Sequence, residues 1–282
     1  MNNHPIFFIG EGRSGTTIIF EAFAKHPNVA FLSNYTDKFF YPQIGFVHRI
    51  LKKHGKKPQY SNNTFKNKFL PKTSEAYKTW DKLVGSKFSR TFMRDIKATK
   101  IESKRVKNYI NQVIKYQNKK YFSTKLTGPP RITFLNSIFN NSKFVNIIRD
   151  PRAVVASLLN VDFRKNKGFK ETFWKNTLTD YLYDKWVEYD KSSIALLALE
   201  WLAIYNQTKY ESMKVKNRVY NLKYEDFTHD PVLSFKNLTS FLNIKFSDEI
   251  KNHLVKNNYE NMNYKYKDRL NKTEINTIVE IC

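Results

Sequence analysis

Short apolar runs at 6–9, 29–32, 121–125, 144–148 and 218–222 are each closed by glycine, proline or a polar cluster, a pattern that predicts buried strands. Between them the apolar residues return at helical spacing. Ile18, Phe20 and Phe23 mark one helix, 131–139 a second, and a third opens at Pro151 with Asp150 as its cap. Positions 192–213 hold Leu196, Leu197, Leu199, Trp201 and Ile204, too apolar for a fully exposed helix, and Pro231 opens another through Leu242. Strand and helix alternate. That order predicts an α/β fold with a mainly parallel central sheet flanked by helices. Residues 41–120 break the alternation: they are helical in flavour and basic, with polar interruptions such as Ser61-Asn62-Asn63, and a cap at Thr73-Ser74-Glu75 precedes helix formers through Trp80. They read as an insertion between core strands.

Composition narrows this picture to one domain, 1–282, because 282 residues that are 41% hydrophobic can bury a sizeable core and no linker divides them. No apolar run approaches the roughly 20 residues that span a bilayer, so no transmembrane segment is expected. The run at 6–9 is cut short by glycine and is not the core of a secretory signal. Cys282 is the only cysteine, which rules out an internal disulfide and points to a reducing, cytoplasmic setting. The net charge of +24 attracts polyanions in general. Much of it comes from scattered lysines such as Lys52, Lys53, Lys56 and Lys57, which read as solvated surface, so no specific nucleic-acid partner is expected. No oligomeric state follows from the pattern.

The candidate chemistry starts at Gly10-Glu11-Gly12-Arg13-Ser14-Gly15-Thr16-Thr17, between the first strand and the first helix. Such a turn aims backbone N–H groups and the positive end of a helix at one spot, which suits phosphate or sulfate; the alternative is a plain glycine turn before an ordinary helix. Gly10 and Gly15 keep the spacing of a Walker A loop, but Thr16 stands where its lysine belongs and Arg13 supplies the cation from inside the loop. A second strand-turn-helix, 143–159, carries Arg149 at the strand end and Ser157 on the helix. Arg149 occupies the place of a Walker B acid, so Asp150 reads as a cap and no metal site is expected.

These motifs resemble the sulfotransferases that use 3′-phosphoadenosine 5′-phosphosulfate (PAPS), in particular the Arg-Ser-Gly-Thr-Thr loop of bacterial and tyrosylprotein sulfotransferases. The resemblance implies a P-loop NTPase-like fold and metal-independent transfer of a sulfuryl group to a hydroxyl or amine, leaving 3′-phosphoadenosine 5′-phosphate (PAP). On the same basis Arg13, Ser14, Gly15, Thr16 and Thr17 hold the 5′-phosphosulfate, and Arg149 with Ser157 holds the 3′-phosphate. Lys125, at the expected end of the third strand, meets the transferring group, although the neighbouring family pattern is loosened to Lys125-Leu-Thr-Gly-Pro129. A solvated strand-end lysine is the alternative. Tyr224, in Tyr224-Glu225-Asp226, inherits a nucleotide contact, or else packs at a strand end. Tyr266 takes the place of a family tryptophan in the tail, with Lys265, Lys267 and Arg269 near the 3′-phosphate. Val161 stands where tyrosylprotein enzymes have a second arginine, and Arg164 is the substitute.

The general base of those enzymes is a glutamate after the second strand, and this chain has none between Glu21 and Glu75. Asp37 is the first carboxylate after the strand end, with capping or a pair with Lys38 as its bland role, and His48 is a more distant choice. The acceptor, a carbohydrate, lipid or small molecule, is expected to meet the insertion 41–120. Two other classes stay open: a P-loop kinase, which needs Mg²⁺, and a non-catalytic polyanion binder, which shows steep salt dependence.

Overall fold

The computed structural model describes residues 4–47, 50, 71–166 and 168–282. Five parallel strands form one sheet in the order β2-β3-β1-β4-β5: β1 Ile6–Gly10, β2 Val29–Phe31, β3 Tyr121–Thr127, β4 Lys143–Ile148 and β5 Val219–Lys223. Helices cover both faces, so the strands read as nearly unbroken apolar runs, as in the all-buried β1. Successive residues still point to opposite sides. Phe7 and Ile9 enter the core beneath α3 (Tyr77–Val84), α4 (Lys100–Gln117) and α5 (Ile132–Ile138). Ile6 and Phe8 face α1 (Thr16–Phe23) and α9 (Pro231–Leu242) on the other side.

The chain leaves β1, crosses to the edge strand β2, returns to β3 and later passes to β4 on the far side of β1. β1 is therefore the switch point, outside whose carboxyl end an open α/β sheet places its ligand crevice. The register aligns this edge: Gly10 is opposite Thr127 of β3 and Ile147 of β4. β3 runs two residues beyond the expected end at Lys125, because Leu126 is fully buried and Thr127 still pairs with Gly10. No helix of the described residues is long and apolar enough to cross a membrane.

In the insertion, α2 (Asn34–Phe39) starts at the second strand's polar exit, where Ser33 and Thr36 form a capping box. After residues outside the described set, among them His48, the chain comes back beside that exit: Asn34 N–H donates to Lys72 O at 3.0 Å and Ser74 N–H to Leu32 O at 3.0 Å. Thr73 is thereby tied to Ser33 by a bridge and does not cap α3 as expected. Asp37 does so instead, accepting from Thr79 N–H at 3.2 Å.

Candidate functional site

The loop 10–17 is shaped by two glycines that no other residue can replace without strain. Gly10 has φ +147°, and a Cβ there would stand 2.5 Å from the carbonyl oxygen of Ile147 in the neighbouring strand. Gly15 has φ +83°, and its Cβ would stand 2.5 Å from the ring of Tyr224. The missing side chain at Gly15 lets Tyr224, at the start of α8 (Tyr224–His229), pack directly beneath the loop. Thr16 opens α1, whose first-turn N–H groups lack intrahelical partners and face the crevice edge.

Arg13, Arg149 and Ser157 form one hydrogen-bonded cluster. Arg13 Nε donates to Ser157 Oγ on α6 (Pro151–Leu158) at 2.9 Å, and Arg149 Nη1 donates to the Arg13 carbonyl at 2.8 Å. The Arg149 guanidinium lies 4.2 Å from the Tyr224 ring centre, a cation–π contact. Burial lowers the Arg149 pKa, and neighbouring Tyr224 and Glu225 partly offset this. Asp150 caps α6, as its Oδ1 accepts from Arg152 N–H at 2.8 Å. Burial opposes ionisation of that carboxyl, but the Arg152 side chain and backbone outweigh it and hold the pKa below the usual range.

The tail reaches this cluster by a different residue from those expected. Asn263 accepts from Arg149 Nε at 2.8 Å and donates to Glu225 Oε1 at 2.6 Å, while Glu225 also receives Asp150 N–H at 3.1 Å. Tyr224 OH is bound to the Glu260 carbonyl and the Met262 N–H. The Tyr266 ring lies 4.7 Å beneath the Arg152 guanidinium. Lys265 is half-buried, and Lys267 and Arg269 are exposed, with no ion pair among the described residues.

On the other side of the loop, Lys125 is 8% exposed and donates from Nζ to Thr17 Oγ1 at 2.6 Å. Its nearest carboxylate is one the linear reading passed over. Glu75 Oε1 lies 3.8 Å from Lys125 Nζ and accepts from Thr127 Oγ1 at 2.7 Å. Because Ser74 bonds to Leu32, Glu75 lies at the exit of the second strand. Asp37 is not joined to this group: its carboxylate caps α3.

The segment between α6 and α7 (Ser193–Lys214) is held down at two points. Trp174 packs against Gly128 so closely that a Cβ on the glycine would meet its ring at 2.2 Å. Arg164 is 4% exposed in its side chain and forms a two-pronged pair with Glu200, 1% exposed; Glu200 also accepts Phe173 N–H at 2.6 Å. Arg164 is thus committed to α7.

With this geometry in place, a family model described as "Sulfotransferase family" matches residues 5–248. No curated protein matches by sequence. Among solved structures, sulfotransferase STF9 from Mycobacterium avium is similar with TM-score 0.63 at 13% identity, covering 99% of this chain and 75% of that one. Sulfotransferase STF1 from Mycobacterium tuberculosis H37Rv gives 0.52 at 15% identity, with 95% and 76% covered. Mouse sulfotransferase SULT7A1 complexed with PAP gives 0.45 at 14% identity, with 100% and 83% covered.

Proposed function

Because the chain belongs to the sulfotransferase family, we propose that it moves a sulfuryl group from PAPS to a hydroxyl or amine of an acceptor without a divalent metal. The observation that carries this reading is the union of the donor loop with the second motif through Arg13, Ser157 and Arg149. The residues fit the nucleotide: a glycine loop at a helix N-terminus with the Arg13 guanidinium suits its 5′ anion, and the Arg149 guanidinium with the Ser157 hydroxyl suits its 3′-phosphate. Ser14, Gly15, Thr16 and Thr17 would hold the 5′ end, with Tyr224 supporting the loop from below. Lys265, Lys267 and Arg269 add positive charge at the tail.

When bound, the donor supplies an activated sulfuryl group on a phosphate leaving group. Lys125, fixed by Thr17, and Arg13 place positive charge where oxygen charge develops, and they need no reorganisation to do so. Arg149 directly follows β4, where a metal-binding acid would stand in a kinase, which supports metal-independent turnover. The acceptor proton goes to Glu75, whose Oε1 is aligned by Thr127 and sits beside Lys125. Asp37, the choice from linear order, is bonded to α3 and not to the Lys125 group, which Glu75 joins, so Glu75 takes its place in the proposal. The acceptor meets the insertion side of the crevice, which Glu75 and Tyr77 line. An acceptor screen with isotope-labelled PAPS over carbohydrates, lipids and small alcohols or amines, read by mass spectrometry, is expected to show gain of one sulfuryl group. Transfer from ATP in place of PAPS, abolished by EDTA and restored by Mg²⁺, would overturn it.

A further inference from the structure

Glu11 lies inside the donor loop yet takes no part in the mechanism above. It is 5% exposed, its Oε1 accepts Gly12 N–H at 2.9 Å, and its Oε2 is buried without a partner. The Ser14 hydroxyl is likewise buried and unpartnered, and both residues line a small pocket closed by Gly10, Asn146, Arg149 and Tyr205. The cation that could balance Glu11 is already taken, because Arg164 is spent on Glu200. A carboxylate so placed would be a second buried negative charge beside Glu200, and a carboxyl group in that position sheds its charge by holding a proton.

From this arrangement we propose that Glu11 is a positioning residue of the donor loop: as a neutral acid it sustains anion binding there, and its ionisation weakens the loop's hold on the nucleotide. The inference rests on the PAPS reading of the site. Several charged or titratable groups face Glu11: Glu200 and Tyr205 on α7, Arg164 from the covering segment, Arg149 just after β4 and Tyr77 on α3. Burial first, then Glu200, push the Glu11 carboxyl up to about 8, while Arg164 and the Gly12 N–H pull weakly the other way. The neutral acid leaves Oε2 an O–H donor for a water in the pocket shared with Ser14. Ionisation places a negative charge directly behind the N–H groups that receive the nucleotide's own anion.

Two measurements test this on the full chain. Difference infrared spectra between the wild type and Glu11→Gln, without ligand, should show a protonated-carboxyl band at pH 7 that titrates away with a midpoint near 8. Calorimetry with PAP between about pH 7 and 9 spans a window above the phosphate pKa and below lysine. Wild-type affinity should fall by about tenfold while Glu11→Gln stays flat within about twofold. Glu11→Met is the second uncharged replacement should the amide variant fail to fold. A wild type with no such band at pH 7, or parallel pH slopes in wild type and variant, overturns the inference alone. If neither protein binds PAP at pH 7, the donor reading itself falls and takes the inference with it.

Discussion

Replacing Arg164 by methionine removes the cation from the most deeply buried ion pair of the described residues and leaves Glu200, 1% exposed in its side chain, without its counter-charge. Breaking a buried pair by deleting one partner costs about 3–5 kcal/mol, because the remaining charge is neither hydrated nor paired. Here the Glu200 carboxylate keeps the Phe173 N–H but loses the two-pronged guanidinium, which puts the cost at about 4 kcal/mol. For 282 residues the unfolding entropy is about 0.6 kcal/mol per kelvin, so a loss of about 4 kcal/mol lowers Tm by about 7 °C. Removing both charges in Arg164→Met/Glu200→Met takes the carboxylate acceptor from the Phe173 N–H, at about 1–3 kcal/mol, so the double variant should be more stable than the single one. Urea unfolding of these three proteins and of Glu200→Met closes the cycle, and the deficit of Arg164→Met should shrink in mild acid, where protonation removes the stranded charge. A single variant within about 0.5 kcal/mol of wild type, or a double variant less stable than the single one, would refute the reasoning.

Glu75→Gln should lower kcat by about 10² to 10⁴ while PAP affinity holds, whereas Asp37→Asn should act on stability through the α3 cap, by about 1 kcal/mol, and leave kcat near normal. Steady-state transfer assays with the identified acceptor, alongside thermal melts, separate the two, and a normal kcat in Glu75→Gln removes it as the base. Gly15→Ala forces a Cβ to 2.5 Å from the Tyr224 ring at φ +83°, so it should cost about 1–3 kcal/mol and weaken PAP binding, with partial recovery in Gly15→Ala/Tyr224→Ala. Glu11, raised to about 8, binds its proton more tightly in the folded state, so its contribution is full below the ordinary carboxylate range and is lost as pH rises toward 8. The stability of Glu11→Gln relative to wild type should therefore increase from pH 5 to 8 in urea titrations, and an unchanged difference would count against it.

The strands and the donor loop were legible because their signals are local. Ile6–Gly10 is apolar at every position before a glycine turn, and Asp150-Pro151 announces a helix start by chemistry that acts within a few residues. The same locality singled out Asp37 as a base candidate. Asp37 is the nearest carboxylate along the chain, but the helical turn begun by the Ser33 and Thr36 capping box points it at α3. Glu75 belongs to the same strand exit through the Leu32–Ser74 hydrogen bond, a contact made only after the insertion folds back. Asn263 was hidden for a comparable reason: its neighbours Lys265 and Lys267 carry the visible charge, while a short polar amide makes the contact to Arg149. Glu11 gave no linear warning, since a glutamate in a glycine turn reads as exposed until Glu200 and Arg164 close over it.

Calorimetric titration with PAP and with adenosine 5′-phosphosulfate decides whether the crevice at the end of β1 recognises a nucleotide bearing both a 5′ anion and a 3′-phosphate. PAP should bind more tightly, and Arg149→Ala should lose about 1.5–3 kcal/mol toward PAP and less toward adenosine 5′-phosphosulfate, because the proposed partner of the guanidinium is the 3′-phosphate, while its bond to the Arg13 carbonyl serves both nucleotides. Equal affinity of the wild type for the two nucleotides, or an equal loss toward both in the variant, would contradict the account.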